Sequence, residues 1–320
     1  MLGLCIVAIA ACTRQEKKPA LAEWMEENGK IKVLSTVRMI DDLVAEIGKD
    51  RVDRCTLIHG EIDPHSYEMV KGDDEKIGFA QVVFYNGLGL EHGASLSYRL
   101  QKHPHAIAVA ETIQRLHPEK ILKRGSQIDP HVWMDISLWK ETVDPIVAAL
   151  SVLSPQDAEM FRTNGQALKE RMTAAHDEIA SIMQGIPDEK RFLVTSHDAF
   201  HYFARAYLAN DEERQGEIWQ RRFIAPEGLA PDAQISPVDI QAVLEYLAHH
   251  RVDTIFSESN VSRGALRKIV EASAATGWPV KIADANLHSD AMGAQETETG
   301  NYLGMMRHNA RVMIETWEQK

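Results

Sequence analysis

Two copies of one tripeptide, Asp63-Pro64-His65 and Asp129-Pro130-His131, carry the chemistry of this sequence. A specified tripeptide is expected far less than once in 320 residues, so the repeat asks for a reason. Imidazole nitrogen is a good donor to zinc, manganese and iron, and carboxylate oxygen suits the harder ions. Proline fixes φ and restricts the residue before it, so Asp-Pro-His presents its imidazole from a stiff loop. The Asp is placed to orient the ring or to neutralise a bound cation. We therefore read His65 and His131 as two ligands of one transition-metal ion.

A third imidazole, His197, lies in Thr195-Ser196-His197-Asp198, where an apolar run gives way to a helical pattern. His201 follows four residues later, the spacing that puts two side chains on one helix face. That pair invites comparison with a zinc-protease helix, whose first His is followed by Glu; here Asp198 holds that position. Asp290, in Leu287-His288-Ser289-Asp290-Ala291-Met292-Gly293, is by itself an ordinary loop acid. Two chemistries stay open. A closed site with four protein ligands would carry an ion; a hydrolase would use three His ligands, an open position for water, and Asp198 or Glu258 as base. His201, Glu258 and His288 stand as substitute ligands.

The elements that must position these residues alternate. Strands are predicted at Ile31 to Val37, Val52 to Ile58, Gln81 to Tyr85 and Ala106 to Ala110, with helices at Met39 to Gly48, Ser66 to Phe79 and Leu88 to Gln101. Near-continuous apolar strands separated by helices are the pattern of a parallel sheet covered on both faces. Each Asp-Pro-His follows an apparent strand, and ligands bind at strand ends in such sheets. A helix from Ile136 to Leu153 comes next. Ser154-Pro155-Gln156-Asp157 then opens another that runs to Gln184, its stripe being Phe161, Leu168, Met172, Ala175, Ile179 and Ile182. About thirty residues at 1.5 Å each make it roughly 45 Å long. The alternation then resumes, with strands at Arg191 to Thr195, Arg222 to Ala225, Thr254 to Ser257 and Val280 to Ala283. Helices are predicted at Ala199 to Ala209, Pro237 to His250, Arg263 to Thr276 and Asn301 to Trp317, and Asn210 to Gln220 reads as an exposed loop.

Length and composition suit two soluble domains, with 44% hydrophobic and 26% charged residues. A formal charge of −12 argues against a nucleic-acid partner, whose phosphates such a surface repels. Met1 to Ala11 is apolar and uncharged, too short to span a bilayer and suited to a secretion signal. It ends in Ile9-Ala10-Ala11-Cys12, similar to a bacterial lipobox that would be cut and lipidated at Cys12. No basic n-region precedes it, so the natural start is expected upstream of Met1. A single lipid chain tethers weakly. Cys5 would leave with the signal and Cys12 would carry lipid, so Cys55 stands alone as a small buried apolar residue.

With these residues in view, the chain resembles the metal-binding solute-binding lipoproteins of bacterial ABC transporters for zinc, manganese and iron. The resemblance runs through the lipoprotein signal, Asp-Pro-His-x-Tyr-Glu, Asp-Pro-His-x-Trp-x-Asp, the Ser154-Pro155 helix, Ser-His-Asp-Ala-Phe and Ser-Asp-Ala-Met-Gly, and on through Asn301 to Asn309. It implies an α/β fold of two (β/α) lobes with mainly parallel four-stranded sheets, joined by one long rigid helix. The boundaries would be a signal and tether at 1–19, lobes at 20–153 and 187–320, and the linking helix at 154–186. The ligands would fall on His65, His131, His197 and Asp290, with one Zn²⁺, Mn²⁺ or Fe²⁺ buried between the lobes. The protein would be a lipid-anchored monomer outside the cytoplasmic membrane, not an enzyme, passing its ion to a permease and its ATPase subunit.

There are departures from the pattern. Leu57 to Ile62 lacks the family's proline-rich lead-in, and Asn210 to Gln220 is longer than usual. Zinc-dedicated members carry a His-rich loop, whereas Gln101 to Ser126 holds only His103, His105 and His117. By the usual affinity order, zinc is expected to win on purified protein whatever ion the cell supplies.

Overall fold

The computed structural model describes residues 23–216, 218–230 and 235–318; the expected lipidation site Cys12 lies outside them. Ile31–Ser35 (β1) is buried at every position, as the interior strand of a two-sided parallel sheet must be. Arg38–Gly48 (α1) follows, burying Met39, Ile40, Leu43, Val44 and Ile47 on one face. Val52–Thr56 (β2), Asp73–Phe79 (α2), Val82–Tyr85 (β3), Ala94–Lys102 (α3) and Ala106–Ala108 (β4) complete the first unit. Its four strands run parallel in the order β2-β1-β3-β4. Edge strand β2 is covered less than β1, so Cys55 is half-buried rather than buried as expected, with Sγ 3.7 Å from the Thr56 carbonyl oxygen.

Two helices begin later than periodicity predicts. Residues 66–72 are a loop because the buried Asp73 carboxylate gathers donors that a helix would dispose of otherwise. It accepts from the Tyr67 hydroxyl at 2.6 Å, Val70 N–H at 2.8 Å and Lys76 at 2.9 Å, and Gly72 turns the chain at φ 99°. Residues 88–93 are likewise held out of α3. There Glu91 accepts from Thr36 and from the N–H groups of Asn86 and Gly87 at 2.7–3.0 Å.

A two-stranded hairpin, Lys123–Arg124 (β5) and Gln127–Ile128 (β6), stands between the first sheet and the second Asp-Pro-His. The helix predicted over Ile136 to Leu153 is broken by a 3-10 turn at Lys140–Thr142 into a short helix and Val143–Leu153 (α4). Ala158–Gln184 (α5) is the long helix, and it buries Phe161, Gly165, Leu168, Met172, Ala175, Ile179 and Met183. The predicted stripe errs only at its end, where Met183 turns inward and Ile182 is exposed. Gly165, inside this helix, is a contact point: a Cβ there would meet Val147 Cγ2 at 2.6 Å. Asn164 donates to the Ile47 carbonyl at 2.9 Å, closing the end of α1.

The second unit has shorter strands: Leu193–Val194 (β7), Phe223–Ile224 (β8), Thr254–Ile255 (β9) and Lys281–Ile282 (β10). The parallel pairs β7/β8 and β9/β10 are brought side by side by the bond from Phe256 N–H to the Val194 carbonyl at 2.9 Å. Pro237–His250 (α6), Gly264–Ala275 (α7) and Tyr302–Glu318 (α8) accompany them. The helix expected from Ala199 to Ala209 starts at His201 and widens into a π-turn at Ala204–Leu208. Asn210 to Gln220 is exposed at most of its described positions, as expected, but it is folded rather than a loop. Asn210 and Glu213 form a capping box on a short helix, Glu213 meets buried Arg222 at 2.7 Å, and Trp219 is buried. One apolar core runs from Trp24 to Trp317 through both units, and a second, built around Val243, Ile255 and Ile269, lies under α6 and α7. No helix among the described residues is long and apolar enough to cross a membrane.

Candidate metal centre

Each Asp-Pro-His folds the same way, and the reason is local. The Asp63 carboxylate accepts the His65 N–H at 2.9 Å, and Asp129 accepts the His131 N–H at 3.0 Å, an Asx turn stiffened by the proline between. Asp129 Oδ1 also lies 2.7 Å from His131 Nδ1, so the ring turns its Nε2 away. The Asn86 amide donates to the Pro130 carbonyl at 3.1 Å, and Asn86 is itself fixed by Glu91.

His197 is presented after β7 by an equivalent device that is distant in sequence. Glu258 Oε1 accepts the N–H groups of Ser196 and His197 at 2.9 Å each, while Oε2 lies 2.5 Å from His197 Nδ1. Nε2 is again the free nitrogen. Asp290 sits in the loop after β10, and the Ser289 carbonyl beside it accepts from Trp133 Nε1 at 2.9 Å. Trp133 is two residues from His131, so these two loops are joined by a buried bond.

The four side chains converge. His65 Nε2 and His131 Nε2 are 3.1 Å apart; Asp290 Oδ1 is 3.4 Å from His131 Nε2; Asp290 Oδ2 is 3.1 Å from His197 Nε2 and 3.9 Å from His65 Nε2. A tetrahedral ion with bonds of about 2.0–2.1 Å sets its donors roughly 3.3 Å apart, which these separations bracket. His131 and His197 are fully buried, and His65 and Asp290 are 2% and 3% exposed. His197 Nε2 and Asp290 Oδ1 lack a hydrogen-bond partner, a costly arrangement for buried polar atoms unless a cation takes them up. His65, His131, His197 and Asp290 form a group that could hold a metal ion.

The electrostatics suit a cation. Burial disfavours a charged His65, and with His131 and His197 beside it this outweighs the pull of Asp290 and lowers its pKa to about 3. That ring is neutral and ready to coordinate. Burial also works against a charged His197, but Glu258 and Asp290 outweigh it and raise the pKa well above the usual value. Burial alone would raise Asp290, yet His197, His131 and His65 hold it below the ordinary carboxylate range. An outer cleft of about 770 Å³ reaches the site at His65, with His92, Glu111, Gln127 and Leu229 on its walls.

The substitute ligands lie elsewhere in the network. His201 Nε2 is 2.7 Å from Asp198, and its ring packs edge-on against Phe223. His288 Nδ1 faces Ser259 and the Ala291 carbonyl at 3.1 and 3.2 Å. Glu258 touches a ring rather than standing in the ring of donors. The orienting role of Glu258 was not foreseen, and one signal could have pointed to it: a lone carboxylate directly after the apparent strand Thr254 to Ser257.

Residues 33–316 match the family described as ZnuA, zinc-uptake complex component A, periplasmic. The chain belongs to that family. Members resemble it over nearly their whole length. The metal-binding protein YtgA of Chlamydia trachomatis is 40% identical over 285 residues, 89% of this chain and 85% of YtgA. A solved structure of Fe(III)-bound YtgA matches at a TM-score of 0.85, with 39% identity, covering 90% of this chain and 98% of that one. The manganese-binding lipoprotein MntA of Bacillus subtilis is 34% identical across 88% of this chain and 87% of its own. The periplasmic zinc-binding protein TroA of Treponema pallidum superimposes at a TM-score of 0.82, with 31% identity, over 90% of this chain and 99% of TroA. The family and its structures agree with the α/β architecture, long helix and transporter role that the motifs implied.

Proposed function

We propose that this protein captures one divalent transition-metal ion outside the cytoplasmic membrane and delivers it to an ABC permease for import. The ligands in this reading are Nε2 of His65, His131 and His197 and the carboxylate of Asp290. The observation that carries it is the convergence of four buried donors, three of them imidazole nitrogens turned toward one point, with partnerless polar atoms among them. The ion is cargo. Four protein ligands leave a tetrahedral ion no open position for water, so a hydrolase draws no support from this geometry. Glu258 and Asp198, the bases such an enzyme would use, are engaged with His197 and with Arg124 and His201. The relatives named for iron, manganese and zinc share this fold, and the mixed nitrogen and oxygen donor set accepts all three.

The unit boundaries belong to the same reading: lobes at 20–153 and 187–320, joined by the helix at 154–186, with each lobe contributing two ligands. So do a monomeric state, a lipid anchor at Cys12 on the membrane surface, and the permease and ATPase as partners. The test is elemental mass spectrometry of untagged protein, followed by competition among Zn²⁺, Mn²⁺ and Fe²⁺ for the apo form. About one ion per chain, lost in the His65→Ala/His131→Ala double variant, is the expected result. No stoichiometric metal under any loading condition would overturn the proposal.

A further inference from the structure

The contacts that join the two parts of the chain around the site fall into two kinds. Those at its base are buried: Trp133 Nε1 to the Ser289 carbonyl at 2.9 Å, the Tyr302 hydroxyl to the Trp133 carbonyl at 2.6 Å, and the Ile136 N–H to the Tyr207 hydroxyl at 3.2 Å. Such bonds lie inside packed apolar surroundings and cannot part without exposing unpaired groups. The His131 and Asp290 loops are therefore fixed to each other. An ion sealed among donors at most 3% exposed has to pass some other way.

The β5–β6 hairpin supplies that way. Ser126, Gln127 and Ile128 form part of the cleft wall that leads to His65. The hairpin's stem is held by Tyr202, whose hydroxyl accepts the Leu122 N–H at 3.0 Å and donates to the Asp129 carbonyl at 3.1 Å. Its turn contains Gly125 at φ 60°, with no neighbour within 4 Å of a Cβ placed there. Next to that turn, Arg124 Nε donates to Asp198 Oδ2 at 2.8 Å. Asp198 directly follows His197, and its side chain is 6% exposed, whereas that of Arg124 is 54% exposed. The free end of an otherwise solvated hairpin is thus pinned to the segment that carries a ligand by a contact that water, salt or a docking protein can reach.

We infer that the Lys123–Ile128 hairpin is a strap across the metal cleft, and that Arg124 is a positioning residue whose bond to Asp198 sets how fast the ion exchanges. The inference rests on the metal-carrier reading and adds a gate to it. Arg124 touches none of the four donors, so freeing the strap changes the height of the barrier on both sides and not the site itself.

The full chain, loaded with Zn²⁺, is chased with excess chromogenic chelator to give the dissociation rate, and the apo chain is mixed with Zn²⁺ to give the association rate. In Arg124→Ala both rates rise together by roughly five-fold, the ceiling for a half-exposed ion pair, and Kd stays the same. Arg124→Lys restores most of the slow exchange. High salt accelerates the unaltered chain toward the variant and leaves the variant where it was. Hydrogen exchange, which needs no metal, shows faster exchange at residues 123–128 in Arg124→Ala and an unchanged α5. Unchanged exchange rates in Arg124→Ala would overturn the strap. So would faster dissociation with an unchanged association rate, since that means a displaced His197 rather than a freed gate. If the unaltered chain takes up no ion at all, the carrier reading fails, and faster hydrogen exchange of the hairpin in the variant still tests the pin.

Discussion

Glu258 offers the sharpest test of how the site is built. Its Oε1 is committed to two backbone N–H groups, and its Oε2 lies 2.5 Å from His197 Nδ1. In Glu258→Gln the amide oxygen keeps the backbone bonds, since only an acceptor fits there. The amide nitrogen must then face Nδ1. Two donors cannot share that contact, so His197 gives up its Nδ1 proton and keeps the one on Nε2, the nitrogen aimed at the other donors. Binding a cation then requires the wrong tautomer to be undone, without a carboxylate to stabilise the right one. Losing an outer-shell partner of this type costs about 10- to 100-fold in metal affinity, or roughly 1.4–2.8 kcal/mol. The assay is competition for Zn²⁺ against a chelator of known affinity, with circular dichroism and thermal unfolding run alongside to show that the variant is folded. A folded Glu258→Gln protein with unaltered Kd would refute the assignment of His197 as a ligand oriented through Nδ1.

Metal uptake at neutral pH should release about one proton from this site, because His197 is held protonated above its usual range and must lose that proton to coordinate. Affinity therefore falls as pH drops, while His65, at about 3, is neutral throughout the physiological range and adds no slope there. Calorimetric titration in buffers of differing ionisation enthalpy measures the proton, and none released would contradict this. Gly165→Val should destabilise the fold by about 1–3 kcal/mol, since its Cβ would meet Val147 at 2.6 Å, and leave zinc affinity alone; denaturant unfolding beside a zinc titration checks both halves. Trp133→Phe leaves the buried Ser289 carbonyl without its donor and should cost about 1–3 kcal/mol. It should also loosen Asp290, seen as weaker zinc binding, which separates it from Gly165→Val.

Much of this could be read from the sequence because the physics was local. Asp-Pro-His contains its own explanation: the Asp bonds the His N–H two residues on, and Pro stiffens the turn, in both copies. The stripe of α5 and the buried run of β1 follow from burial on fixed faces, which periodicity records. Residues 66–72 and 210–220 were misread because what shapes them is a buried carboxylate meeting donors that composition does not rank. Asp73 holds Tyr67 and Val70, and Glu213 holds Arg222, so a helical pattern becomes a loop and a polar stretch becomes a folded one. The sequence by itself determined which side chains could bind metal and that the loops presenting them were stiff. Only the tertiary structure decided that three Nε2 atoms and one carboxylate meet, that Glu258, sixty-one residues from His197, fixes its tautomer, and that Arg124 reaches Asp198. Those are contacts between segments far apart in the chain, and their distances are set by how the strands and helices of the two units pack about a common core rather than by anything a local pattern encodes.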